Sequence, residues 1–236
     1  MNSFFNVPKR CAAAIRAAKA TEDPFRHTII DDFLPNSCLI AIIREALEVD
    51  IRDNYGIAKD RRCEYRKLAF HPNVVGDIFN QIAINLSSPE VVSAIGEKFH
   101  YKGLVADPTY YGGGLHMTMR GGFLGVHRDF NIHPGLNLKR VVNLILFLNT
   151  EWEERYGGHL ILQAQPRDCE IIEILPLANR AVIFDTAATN SYHGQPTPLN
   201  APLGTNRLSL ALYYYQSLPS LPVESRGTEF IELKKI

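Results

Sequence analysis

The segment Gly121-Gly122-Phe123-Leu124-Gly125-Val126-His127-Arg128-Asp129-Phe130 decides how the rest of the chain is read. In an extended strand, side chains two apart point to the same side. His127 and Asp129 can therefore bring an imidazole nitrogen and a carboxylate oxygen to one point. Taken alone, a strand histidine is more often a core or surface residue, and an aspartate a turn or cap residue. A metal site needs a third partner, and Ser191-Tyr192-His193-Gly194 offers His193. Two imidazoles and one carboxylate on one face of an octahedron leave three positions open, an arrangement suited to non-haem iron(II).

Outward from this segment, the chain beyond about Lys102 breaks into short apolar runs punctuated by glycine and proline. They are Leu115–Met119, Arg140–Leu148, His159–Gln163, Glu170–Ile174, Ala181–Phe184 and Arg207–Tyr215. Many short strands at near-regular spacing predict a sandwich or barrel. The last run alternates cleanly. Leu208, Leu210, Leu212 and Tyr214 share one face and must bury against another layer. Arg207, Ser209, Ala211, Tyr213 and Tyr215 share the other, which would place a guanidinium and a hydroxyl inside a barrel mouth. A bound carboxylate would satisfy that guanidinium by a bidentate pair. An internal Arg–Asp pair or an exposed edge strand would explain it equally.

The first hundred residues read as mainly helical support with the first strands. Pro35-Asn36-Ser37 looks like a helix start, followed by Cys38–Val49 with Leu39, Ile42, Ile43, Ala46 and Leu47 at helical spacing. A second helix is expected over Val74–Leu86. A third follows Ser88-Pro89-Glu90, with serine as cap and proline in the first turn, and runs to about Phe99. The expectation is one domain over 1–236: helices and first strands in 1–100, a β core with the site in 101–216, and a C-terminal extension in 217–236.

Composition narrows the partners. The chain has 236 residues, 46% of them hydrophobic, enough to bury roughly 70–75% of the unfolded surface. Lysine plus arginine equals aspartate plus glutamate, 25 each, without the basic excess expected of a nucleic-acid binder. The longest apolar runs, such as Val141–Leu148, fall far short of the about 20 residues that span a bilayer. Cys11, Cys38, Cys63 and Cys169 form no CxxC pair, which fits a reducing cytoplasm. Met1–Ala20 has no acidic residue and carries Lys9, Arg10, Arg16 and Lys19, so it reads as an N-terminal helix or as a transit peptide.

The order HxD, distal histidine, RxS resembles the iron(II)/2-oxoglutarate-dependent dioxygenases, in particular their prolyl 4-hydroxylase-like branch. The resemblance covers about 104–216. Gly121–Phe130 is similar to that branch's GGxLxxHxD strand, and Arg140–Asn149 to its RxxNxxxxLN strand. Tyr156-Gly157-Gly158-His159-Leu160 is similar to its GGxL strand, and Asn179–Phe184 to the run before the distal histidine. It implies mainly β architecture with supporting helices: a double-stranded β-helix, the jelly-roll or cupin-like core. It implies iron(II) on His127, Asp129 and His193, with the distal carboxylate of 2-oxoglutarate on Arg207 and Ser209. The implied reaction consumes O2 and 2-oxoglutarate, yields succinate and carbon dioxide, and hydroxylates a carbon; ascorbate is an optional reductant.

One departure matters. Where many prolyl hydroxylases carry tyrosines, this chain has Met117, Thr118 and Phe147, which weakens proline as substrate. Asn143 and His116 are then candidates for cosubstrate contact. The mouth loops Asn131–Lys139 and Glu151–Tyr156, with Arg120, Arg128, His133 and Trp152, are candidates for substrate contact. The expected partner is a small molecule or a carrier-, glycan- or peptide-bound group, with no nucleic acid and no membrane; oligomeric state is open. Two other readings compete: a cupin-like metal-binding protein or isomerase that does not use 2-oxoglutarate, and a non-catalytic β-sandwich.

Overall fold

The computed structural model describes residues 6–54, 62–164, 171–217 and 224–231. Cys169, the beginning of the expected strand Glu170–Ile174, and much of the 217–236 extension lie outside them, as do Met1–Phe5 of the N-terminal stretch. The element order is α1 (Val7–Ala17), β1 (His27–Ile30), α2 (Asn36–Glu48), a 3-10 turn, β2 (Glu64–Phe70), α3 (Pro72–Val75), α4 (Asp77–Leu86), α5 (Pro89–Phe99) and β3 (Leu104–Ala106). There follow β4 (Gly114–Arg128), β5 (Leu138–Phe147), a second 3-10 turn, β6 (Leu160–Gln163), β7 (Ile171–Ile174), β8 (Ala181–Asp185), β9 (Tyr192–Gln195), β10 (Arg207–Ser217) and β11 (Glu229–Phe230).

The strands form an antiparallel sheet in the order β1-β8-β5-β10-β4-β9-β6-β7, with β2 and β11 also paired to β4 and β3 to β10. Strand β4 serves both walls of this curled sheet. Its first half pairs with β10, from Gly114↔Ala211 to Thr118↔Arg207, while its second half pairs with β9 through His127↔His193. The change falls at Gly121-Gly122. Gly121 has φ +76°, and a Cβ on Gly122 would lie 2.7 Å from Met119 O and 2.8 Å from Tyr65 O. The strand can bend there because glycine tolerates both demands.

The leucine face of β10 does what its alternation requires. Leu208, Leu210, Leu212 and Tyr214 join the large core made with α1, α2, α4 and α5. A smaller core of Phe25, Phe147, Leu160, Leu162, Ile174, Val182 and Phe184 lies between the two walls. The opposite face of β10 is left to line the cavity between them.

Two helix expectations are corrected. The helix expected over Val74–Leu86 is broken at Gly76 into α3 and α4. The carboxylate of Glu45 sits where a Gly76 side chain would be and accepts from Ile78 N (3.1 Å) and Phe79 N (2.6 Å), capping α4 from the neighbouring helix. In α2 the buried face is Cys38, Leu39, Ile42 and Ala46, whereas Leu47 is exposed. The helix packs on one stripe, and the wider apolar arc is left uncovered. Ser88 is the N-cap of α5 but makes no side-chain cap bond. Among the described residues no helix is long and apolar enough to cross a membrane.

Candidate active site

His127, Asp129 and His193 converge. Among the described residues they form the one group of three metal-ligating types whose candidate atoms all lie within 4.8 Å of one another. His127 Nε2 is 3.6 Å from Asp129 Oδ1, and His193 Nε2 is 3.3 Å from Asp129 Oδ2. The register His127↔His193 sets the imidazoles side by side, tilted by 49° with centroids 4.5 Å apart. His127 Nδ1 lies 2.8 Å from Gly125 O, and His193 Nδ1 lies 3.4 Å from Ser191 O. A carbonyl can only accept, so these bonds place the proton on Nδ1 and leave the Nε2 lone pairs directed at a common point.

Asp129 is fixed from behind. Its Oδ2 accepts from Asn143 Nδ2 at 2.8 Å and ion-pairs with Arg140 Nη2 at 2.9 Å, while Arg140 Nε donates to Asn143 Oδ1 at 2.8 Å. Arg140 is itself sandwiched by aromatic rings, 3.4 Å from the Tyr213 centroid and 4.8 Å from that of Phe130. Burial alone would raise the Asp129 carboxyl, but Arg140 and the two histidines hold it well below the usual carboxylate range. Burial lowers His193 despite Asp129, keeping it neutral and able to ligate.

The site opens into a cavity of about 1260 Å³ lined by the three residues above together with Asn143, His116, Thr118, Arg207, Ser209, Lys67, Tyr111 and others. Arg207 is nearly buried, and its Nε donates to Gly158 O at 2.6 Å while its guanidinium lies 4.9 Å from the Phe147 centroid. No carboxylate of the described residues pairs with it. Burial lowers this guanidinium to about 10, still protonated at neutral pH. Ser209 lines the cavity one residue-pair along the same face.

The remaining expected residues divide. His116 lines the cavity opposite Ser209, and its Nε2 donates to Gly112 O at 2.9 Å; burial, then the nearby Lys67 and arginines, keep it neutral. Asn143 faces the cavity too, but its amide is taken by Asp129 and Arg140, so it positions a ligand. His133 lines the mouth, held by Thr109 Oγ1 at 2.9 Å, which donates to Asp107. Three residues expected at the mouth are not among those lining the cavity. Arg120 turns away and donates to Ala201 O at 3.0 Å. Arg128 is on the outer side of β4, paired with Glu229 and Thr189 O. Trp152 donates to Gly157 O at 3.0 Å and packs on Leu199 and Ala201, so the Glu151–Tyr156 loop buttresses the Gly158 turn rather than the mouth.

Sequence reading missed Glu64 and Lys67 of β2 and, from the C-terminal segment, Ser225–Thr228 and Phe230, all of which line the cavity. That segment is tied across the metal-ligand strand by Phe230↔His127. The clue for β2 was faint, since Glu64-Tyr65-Arg66-Lys67 reads as solvated loop.

Residues 113–215 match the family model described as the 2OG-Fe(II) oxygenase superfamily. That segment reads as a 2OG-Fe(II) oxygenase domain. No curated protein sequence matches the chain. Solved structures do resemble the oxygenase fold seen here. A Pseudomonas putida prolyl-4-hydroxylase has 17% identity and a TM-score of 0.61, covering 87% of this chain and 98% of that one. A prolyl hydroxylase from Trichoplax adhaerens, in complex with a hypoxia inducible factor peptide fragment, has 16% identity and a TM-score of 0.56, covering 90% of each chain. HygX from Streptomyces hygroscopicus, with nickel and 2-oxoglutarate bound, has 11% identity and a TM-score of 0.54, covering 81% of this chain and 83% of that one. These likenesses bear out a double-stranded β-helix with supporting helices. The oxygenase domain implies iron(II) and 2-oxoglutarate, and the His127, Asp129, His193 cluster has the donor set to hold that iron.

Proposed function

We propose that this oxygenase hydroxylates an unactivated carbon of a small molecule or a peptidyl, glycan or carrier-bound group, releasing succinate and carbon dioxide. His127, Asp129 and His193 hold the iron. Arg207 and Ser209 take the distal carboxylate of 2-oxoglutarate. The observation that carries this reading is the buried Arg207 guanidinium, which has no carboxylate partner among the described residues and lines the same cavity as the three converged ligands. Such a cation is costly unless a bound anion compensates it. A cupin-like isomerase has no use for that site.

Bound iron supplies the activation of O2 and the oxidation coupled to loss of carbon dioxide. The chain supplies positioning. The Nδ1–H bonds aim both imidazoles. Arg140 and Asn143 keep Asp129 ionised and orient its carboxylate. Arg207 anchors the far end of the cosubstrate, with Phe147 beneath the guanidinium and Gly158 O fixing its Nε. His133, through Thr109 and Asp107, ties the two loops at the mouth. Cys11, buried and in no disulfide, fits a reducing compartment.

The test is 2-oxoglutarate turnover with iron(II), following O2 uptake and succinate. Equal amounts of O2 consumed and succinate formed, lost in Asp129→Ala, are expected. Succinate formation that survives Asp129→Ala would refute the assignment.

A further inference from the structure

Among the described residues, six charged ones line the cavity: Glu64, Lys67, Asp129, Arg140, Arg207 and Arg226. Two ion pairs account for four of them, Lys67 with Glu64 at 3.1 Å and Arg140 with Asp129 at 2.9 Å. Iron(II) and the two carboxylates of 2-oxoglutarate cancel each other's formal charge. The loaded cavity therefore keeps the charge of Arg207 and Arg226, although the whole chain is neutral. Arg207 has a local partner, the distal carboxylate of the cosubstrate, in the oxygenase reading, on which this inference rests. Arg226 shares one carboxylate, that of Glu229, with Arg128, so two guanidiniums meet a single negative charge.

Its position is built, not incidental. Arg226 Nη2 donates to the backbone oxygen of Asp129 at 3.1 Å, which puts the guanidinium beside a residue of the proposed metal centre. The main chain around it is clamped: Arg226 N donates to Asn131 Oδ1 at 2.7 Å, and Asn131 Nδ2 donates to Glu224 O at 2.9 Å. Downstream, β11 pairs with β4, and Ile231 N donates to Val126 O at 2.9 Å. The side chain is about three-quarters buried, yet Nε has no hydrogen-bond partner among the described residues. Its ion pair with Glu229 is long, 3.7 Å, and that carboxylate is also engaged by Arg128. A planar cation held this way, under-compensated and facing a cavity, is matched by a carboxylate.

We infer that the substrate of this oxygenase carries a carboxylate, read by Arg226 across the mouth from the Arg207 site. The carbon oxidised lies near that carboxylate, because Arg226 is anchored to Asp129 itself. Arg226 is then a specificity-determining residue supplied by the C-terminal segment.

The experiment uses full-length protein loaded with zinc(II), a redox-inert stand-in for iron, and saturating 2-oxoglutarate. A panel of N-acetylated amino acids, each as free acid and as C-terminal amide, is screened by saturation-transfer NMR. Acids are expected to bind and their amides not to. Arg226→Gln should weaken the best acid roughly ten- to a hundredfold, the range of a lost charge-assisted bond, and Arg226→Lys should recover part of it. 2-Oxoglutarate affinity in both variants shows that the site is still formed. Acids and amides binding alike, no acid binding, or an Arg226→Gln variant that keeps its acid would each overturn the inference. If the wild type fails to bind 2-oxoglutarate, the oxygenase reading falls and takes this inference with it.

Discussion

Arg140 places Nη2 2.9 Å from Asp129 Oδ2, so the carboxylate meets a buried cation on one side and faces two imidazoles on the other. This pair makes the site charged before any metal arrives. Removing one partner of a buried pair typically costs about 3–5 kcal/mol, because the survivor is left uncompensated. Arg140→Met is therefore expected to lower the stability of the metal-free protein by about that amount, read from urea unfolding. A loss under about 1 kcal/mol, the range of exposed pairs, would show that Arg140 does not compensate Asp129.

The same pair sets a pH dependence. The folded Asp129 carboxyl is held well below its ordinary value, so its contribution is fully present above the unfolded carboxylate pKa. That contribution is lost as pH falls through the depressed folded value. Metal-free wild type should begin to lose it as pH falls through the ordinary carboxylate value and finish only at the depressed folded one. In Arg140→Met the acid-side loss should be smaller, because the folded value moves back up toward the unfolded one. Urea midpoints measured from neutral to acid pH in both proteins check this, and superimposable profiles would contradict it.

Gly158 links the backbone to the cosubstrate site. It has φ +76°, its carbonyl accepts from Arg207 Nε, and a Cβ there would stand 3.1 Å from Arg207 Cδ and 3.2 Å from Trp152. Gly158→Ala should strain the turn and displace Arg207. The expected result is 2-oxoglutarate affinity down roughly tenfold or more, the scale of a lost charge-assisted bond, with metal affinity nearly unchanged. Equal loss of both would mean that the turn supports the whole site instead.

How much could be read beforehand follows from which patterns are local. The alternation in Arg207–Tyr215 announced both faces of β10, because period two needs no tertiary knowledge. His127 and Asp129 were readable for the same reason. Strand β9 was not, since Tyr192-His193-Gly194-Gln195 has little strand propensity, and its pairing with β4 decides its conformation. The break at Gly76 depends on Glu45, more than thirty residues away. The corrected roles of Arg120, Arg128 and Trp152 show the same limit: closeness in sequence to a ligand says little about which side of a strand or loop faces the cavity. The seating of Arg226 depends on pairing between chain ends and is invisible to any local pattern.

Glu45 offers a control remote from the chemistry. Its carboxylate caps α4 through Ile78 N and Phe79 N, and Glu45→Ala should cost about 1–2 kcal/mol, as cap losses do. Thermal unfolding should show this drop while 2-oxoglutarate affinity stays at the wild-type value. A variant as stable as wild type would mean that this carboxylate is not what ends the preceding turn.

The central claim is that His127, Asp129 and His193 hold iron(II) beside a 2-oxoglutarate anchored on Arg207. Mixing the protein anaerobically with iron(II) and 2-oxoglutarate tests it most directly, through the visible metal-to-ligand charge-transfer absorption of the chelate. The account predicts that band in wild type, its loss in an Asp129→Ala, His193→Ala double variant, and a need for much more 2-oxoglutarate in Arg207→Ala. No band in wild type, or an undiminished band in the double variant, would contradict it.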